Sequence, residues 1–90
     1  MQAGAHIVVR GMVQGVGFRY FVLQHATKLG LNGFVKNLFS GEVEIESHGD
    51  RSLIEEFIKE MKVGPRAAHV SDLKVEWIPF DKSITAFVVR

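Results

Sequence analysis

Ile7-Val8-Val9-Arg10-Gly11-Met12-Val13-Gln14-Gly15-Val16-Gly17-Phe18-Arg19-Tyr20-Phe21-Val22 decides the fold of this chain, because the spacing of its apolar residues changes period halfway along. From His6 to Val13 the residues are β-branched and roughly alternate, the mark of a half-buried strand. Gln14 to Gly17 interrupt that pattern with two glycines. Beyond them Phe18, Phe21, Val22, His25 and Leu29 recur at helical spacing and define one apolar stripe. Gly30 follows, a residue without a Cβ to clash in the left-handed conformation that closes many helices. A strand, a glycine loop and a helix ending near Leu29 are therefore expected.

Downstream, Asn32 to Phe39 and Glu42 to His48 form two strand-like runs, and Ser40-Gly41 between them suits a hairpin. Asp50 or Ser52 is available to cap a second helix, and Ser52 with Glu55 fits a capping box. Leu53, Ile54, Phe57, Ile58 and Met61 mark the buried face of that helix. Gly64-Pro65 stops it, since proline lacks a backbone donor and its ring clashes with the preceding turn. From His69 to Ile78 Leu73, Val75 and Trp77 alternate with Asp72, Lys74 and Glu76, and Thr85 to Val89 read as a short last strand. The order β-α-β-β-α-β plus a terminal strand predicts an α+β, ferredoxin-like (split βαβ) sandwich, with two helices on one face of a mainly antiparallel four- to five-stranded sheet. Residues 1–90 read as one domain, and the fold alone assigns no chemistry.

Composition narrows the choices. The 90 residues carry 11 Lys and Arg against 10 Asp and Glu, a net charge of +1, and 47% of them are hydrophobic. Near-neutrality argues against a domain built to neutralise a nucleic-acid backbone and leaves room for a single local anion site, so that a partner, if anionic, is small. With no cysteine, disulfides, thiolate zinc sites and cysteine nucleophiles are excluded. The longest apolar runs, such as Tyr20 to Leu23 and Ala86 to Val89, fall far short of the ~20 residues a membrane helix needs. Residues 1–6 lack the basic start and apolar stretch of a secretory signal. A soluble, cytoplasmic chain without membrane or nucleic-acid partners is the expectation.

The glycine loop is where chemistry is expected. Glycines let a backbone turn its N–H groups inward, and a helix N-terminus adds unpaired donors with partial positive charge. Arg19 at the rim adds a planar fork of donors that matches two phosphate oxygens at once. On the residues alone, the stretch reads equally as a glycine-rich turn beside a surface arginine. Two nucleotide loops are excluded: the dinucleotide fingerprint needs a third glycine where Tyr20 stands, and the Walker loop needs a Gly-Lys-Ser/Thr that is absent.

Metal chemistry finds little support. Glu42, Glu44 and Glu46 share one strand face but are spaced about 7 Å apart, and their alternation with Val43 and Ile45 describes a solvated face. His6, His25, His48 and His69 are scattered, and His25 on the helical stripe reads as a core or boundary residue. No metal or cofactor is expected. An anion cradle without nucleophile, metal or base positions and stabilises charge but does little for a poor leaving group. An activated phosphate is required, and an acyl phosphate qualifies: its leaving group is a carboxylate, and a phosphoryl oxygen can take the proton of the attacking water. Asn37, a poor strand former in an apolar strand, is the candidate for aiming that water, or else simply a residue next to a turn.

These residues resemble the acylphosphatase family. Gly11 to Arg19 is similar to its first signature and Gly30-Leu31-Asn32-Gly33-Phe34-Val35-Lys36-Asn37, followed by Gly41-Glu42-Val43-Glu44, to its second; the likeness spans essentially the whole chain. The resemblance implies metal-independent hydrolysis of acyl phosphates to carboxylate and phosphate, with inorganic phosphate as product and competitor. It implies a cradle of amides from Gln14, Gly15, Val16, Gly17 and Phe18, a phosphate-binding Arg19, and Asn37 orienting the water. Leu38 and Ser40 stand where many relatives have threonine and aspartate. Two other readings stand beside this one. Gly33-Phe34-Val35-Lys36 is similar to part of an RNA-recognition signature, but that signature needs a longer basic and aromatic pattern with exposed stacking rings. The chain also resembles acylphosphatase-like segments within larger maturation proteins.

Overall fold

The sheet is built around its first strand. In the computed structural model, which describes residues 1–90, the elements run β1 (Gln2–Met12), α1 (Phe18–Lys28), β2 (Asn32–Asn37), β3 (Val43–Asp50), α2 (Arg51–Val63), β4 (His69–Ile78) and β5 (Phe87–Val89). The strands order β4-β1-β3-β2-β5. β1 pairs antiparallel with β3 and β4, β2 pairs antiparallel with β3, and β5 lies parallel to β2. This is the expected ferredoxin-like arrangement, with a fifth strand added at the edge. Ile7, Val9, Val35, Val43 and Ile45 on the sheet are fully buried with Phe18, Val22 and Ala26 of α1 and Ile54, Phe57 and Met61 of α2. Burying a side chain of this size stabilises the fold by about 1.5–3 kcal/mol.

Several local expectations change. β1 begins at Gln2 rather than at His6, because Gln2 to Ala5 continue the ladder opposite Asp50 to Ser47. The hairpin strands stop at Asn37 and resume at Val43, so Leu38, Phe39 and Glu42 belong to the connection. β5 starts at Phe87, not Thr85, as only Phe87 to Val89 find partners on β2. The predicted capping box does not form. Asp50 is the cap of α2, its carboxylate accepting the Ser52 N–H at 2.9 Å, and Ser52 supplies a donor instead of the cap. Gly30 behaves as expected: at φ 69° it lets its own N–H reach Thr27 O at 3.1 Å and the Leu31 N–H reach Ala26 O at 2.9 Å, the paired bonds of a left-handed helix stop.

The other sheet face carries charge. Glu42 pairs with Arg10, Glu44 with His6 at 2.7 Å and Lys36 at 3.5 Å, and Glu46 with His48 at 2.8 Å. The hydrogen bond from His6 holds the Glu44 carboxyl below the usual carboxylate range, and that from Arg10 does the same for Glu42. Each of these glutamates is thus engaged by its own partner on that face. His48 is buried with both ring nitrogens occupied, Nδ1 accepting the Asp81 N–H at 3.1 Å and Nε2 donating to Glu46.

Candidate active site

The glycine loop sits where β1 hands over to α1. Gly15 and Gly17 adopt φ of 74° and 78°, and a Cβ at either would meet open space. Conformation and not crowding is therefore what favours glycine there, since a left-handed backbone strains a side-chain-bearing residue. Gly17 caps α1 without any side-chain acceptor, and the first turn holds no acidic residue. The first backbone bond of the helix runs from the Phe21 N–H to Gly17 O at 3.1 Å. The amides of Phe18, Arg19 and Tyr20 come before it and have no carbonyl within the helix to pair with. A hollow of about 330 Å³ opens at this point, lined by Val13, Gly15, Gly17, Phe18, Arg19, Tyr20, Asn37 and Val89.

Asn37 reaches the hollow through the sheet. It shares a face of β2 with Gly33 and Val35, both buried beneath the helices. β5 pairs with β2 only as far as Val89 opposite Val35, so Asn37 projects just beyond the end of that strand. Its Oδ1 is buried and has no hydrogen-bond partner. A buried acceptor without a donor costs about 1–3 kcal/mol. Asn37 closes β2 directly before the connection, as a residue beside a turn would, and it also lines the hollow.

Two contacts between distant segments set the geometry. Gln14 Nε2 donates to Leu38 O at 2.7 Å and Glu42 O at 2.8 Å, strapping the loop to the hairpin that follows Asn37. The side chain of Gln14 thereby faces away from the hollow, and Val16 likewise packs against the core. Arg19 Nη1 donates to Arg90 O at 2.8 Å, so the end of β5 holds the guanidinium beside the loop. The Phe18 ring is buried in the core and anchors the helix start. Of the expected site residues, Gly15, Gly17, Phe18, Arg19 and Asn37 meet at the hollow, while Gln14 and Val16 support it from behind. Tyr20 and Val89 also line it, and sequence reading had not placed them there. The signal that could have found Tyr20 is its position: an aromatic off the buried stripe of α1, next to Arg19.

Nothing elsewhere offers a competing centre. His6 and His48 are committed to Glu44 and Glu46, and His25 Nδ1 lies 2.9 Å from Glu60 Oε1 across the helix pair, outside hydrogen-bond alignment. No cluster of three or more His, Asp or Glu side chains is arranged to hold a metal ion. Phe34, the aromatic of the RNA-like tetrapeptide, lies beneath the Arg90 guanidinium, 4.2 Å from its ring centre. No helix is long and apolar enough to cross a membrane.

Fold and hollow together define a ferredoxin-like α+β domain with a glycine loop and an uncapped helix start opening onto one hollow. The acylphosphatase family model matches residues 5–89. An acylphosphatase of Chlorobaculum tepidum is 44% identical over 82 residues, covering 91% of this chain and 89% of that protein. The crystal structure of acylphosphatase from Bacillus subtilis superposes with a TM-score of 0.94 at 37% identity, covering 100% of this chain and 99% of that one. Full-length HypF, in its phosphate- and nucleotide-bound form, contains a region that superposes with a TM-score of 0.91 at 35% identity; it covers 100% of this chain and 12% of that one. The chain belongs to the acylphosphatase family.

Proposed function

We propose that this chain, an enzyme hydrolysing acyl phosphates, works by direct attack of one positioned water on a phosphate held by backbone amides and Arg19. The observation that carries this reading is that Asn37 lines the same hollow as Gly15, Gly17 and Arg19. The Asn37 carboxamide there hydrogen-bonds one water and leaves a lone pair of the water oxygen free to face phosphorus. As the new P–O bond forms, the bond from phosphorus to the acyl oxygen breaks and its electron pair leaves on the carboxylate. The water's proton passes to a phosphoryl oxygen, so the products are a carboxylate and dihydrogen phosphate. Arg19 and the amides around Gly15 to Phe18 stabilise charge on the phosphoryl oxygens, as preorganised donors do. Gln14 is a positioning residue that keeps loop and hairpin together. No protein nucleophile is needed, because the carboxylate is already a good leaving group.

Substitution separates the two roles. Asn37→Ala is expected to lower kcat by about a hundredfold or more, equivalent to ~3 kcal/mol of transition-state stabilisation, while leaving the circular dichroism spectrum and phosphate inhibition intact. Arg19→Lys is expected to raise KM and weaken inhibition by inorganic phosphate, because an ammonium cannot span two oxygens. Turnover of a chromogenic acyl phosphate measures both. Near-normal kcat from Asn37→Ala would remove the proposed mechanism. The reading includes competition by free phosphate and a monomeric enzyme, which sedimentation checks.

A further inference from the structure

The ladder between β1 and β3 ends at the row that holds Asn37. Asn37 stands opposite Val43 on β3, and Val43 opposite Val9 on β1, so these three residues form one cross-strand row facing the helices. It is also the last row in which β1 and β3 pair. The glycine loop hangs from the end of β1 and Asn37 from the end of β2, so the distance between them is set by how β1 and β3 meet at this end. One residue further along, on the opposite face of the sheet, stand Arg10 and Glu42. A notch of about 410 Å³ opens there, lined by Arg10, Gly11, Ser40, Gly41 and Glu42 and by no apolar side chain. No packing backs the junction on this face, and polar side chains carry it. Arg10 Nε donates to Glu42 Oε2, while Ser40 Oγ donates to Glu42 Oε1 at 2.8 Å and accepts the Glu42 N–H at 3.3 Å. Both carboxylate oxygens are thus engaged, one by β1 and one by the connection that follows Asn37. Directly after Arg10 the strand bulges, and Gly11 at φ 127° lies so close to β4 that a Cβ would meet His69 O at 2.1 Å. Arg10 is therefore the last side chain of β1 in regular register before the chain turns toward the loop.

We propose that Arg10 and Glu42 are positioning residues for catalysis: their ion pair, on the face of the sheet away from the hollow, fixes the Asn37 row against the end of β1 and so sets kcat. The proposal rests on the reading of Asn37 as the group that orients the attacking water. An exposed ion pair adds little to stability, but the reaction depends steeply on alignment, a misplacement of about 1 Å costing on the order of a hundredfold. Without the pair this end of the ladder frays, and the fraction of molecules aligned for attack falls by the factor the pair is worth, about fivefold at the upper end for an exposed pair. The glycine loop and Arg19 are held by β1, α1 and the end of β5, none of which depends on Glu42. Phosphate binding is therefore unmoved, and the effect falls on turnover.

The test measures kcat, KM and inhibition by inorganic phosphate in Arg10→Met and Glu42→Gln, with a chromogenic acyl phosphate as substrate. Each should lower kcat about fivefold, with phosphate inhibition and the urea midpoint nearly unchanged. Arg10→Lys should keep kcat within about twofold, because Glu42 takes one bond from the guanidinium and an ammonium is able to replace it. Glu44→Gln removes the next paired carboxylate inward on the same face, where Val8 and Glu44 still stand in the ladder, and should leave kcat unchanged. In an Asn37→Ala background Glu42→Gln should cost nothing more, since coupled residues do not add. Unchanged kcat in Arg10→Met and Glu42→Gln, or a loss that adds in full to that of Asn37→Ala, overturns the positioning role, while the loss in Asn37→Ala alone leaves the water-orienting reading standing. Near-normal kcat from Asn37→Ala removes both.

Discussion

The two helices begin in opposite ways. α2 starts at Asp50, whose carboxylate accepts the Ser52 N–H at 2.9 Å and lies 3.5 Å from the N-terminal ammonium. Its hydrogen bonds from Ser52 hold that carboxyl below the usual aspartate range. α1 starts at a left-handed glycine, with no side-chain cap and no acidic residue in its first turn. Both ends present the same partial positive charge from their aligned peptide dipoles. One satisfies it within the chain and serves the fold; the other leaves its donors free beside the hollow, where the proposed mechanism seats the phosphate.

The contrast can be attacked directly. Gly17→Asp places an internal carboxylate at the mouth of the cradle, in a left-handed conformation that aspartate tolerates better than most residues. Loss of kcat/KM by about a hundredfold is expected, as for removal of positioned donors, with helix content unchanged; retained activity would mean that the free amides are not the cradle. Gln14→Ala cuts the strap between loop and hairpin. Leu38 O and Glu42 O each keep another donor, from Gly41 and Leu38 respectively, so the loss in stability should be only about 1–2 kcal/mol, with a several-fold fall in kcat/KM. Urea unfolding and steady-state kinetics measure the two. Asp50→Ala should lower Tm by about 5 °C and leave kinetic constants unchanged, because the cap it removes is remote from the hollow. Since the Asp50 carboxyl titrates below its ordinary value of 3.8, its contribution is fully present above that pH and lost as pH falls further. In the Asp50→Ala protein the acid-side loss of stability should therefore be shallower, as followed by thermal melts between pH 2 and 6.

How far these features were legible depends on how local they are. The change of period at Gly15 to Gly17, the stop at Gly30 and the break at Gly64-Pro65 all read correctly, because each concerns bonds within a few residues. The choice of Asp50 over Ser52 as cap was open, since both side chains are able to accept and only backbone geometry selects one. The Gln14 side chain serves as a strap. No short-range pattern reveals that, because its acceptors lie 24 and 28 residues away. Tyr20 and Val89 were visible as apolar residues but not as walls of one hollow.

By itself the amino-acid order determined the elements, the glycine loop, the lack of any thiol nucleophile and the presence of Arg19 and Asn37. Those properties follow from side-chain chemistry and from hydrogen bonds that close within a turn or two. Tertiary structure alone decided that Asn37 Oδ1 is buried without a partner and that β5 ends just short of it. It also brought Arg90 O to Arg19 across 71 residues of chain. Such meetings depend on strand register and on the order of strands in the sheet, which bring together groups that local sequence leaves far apart.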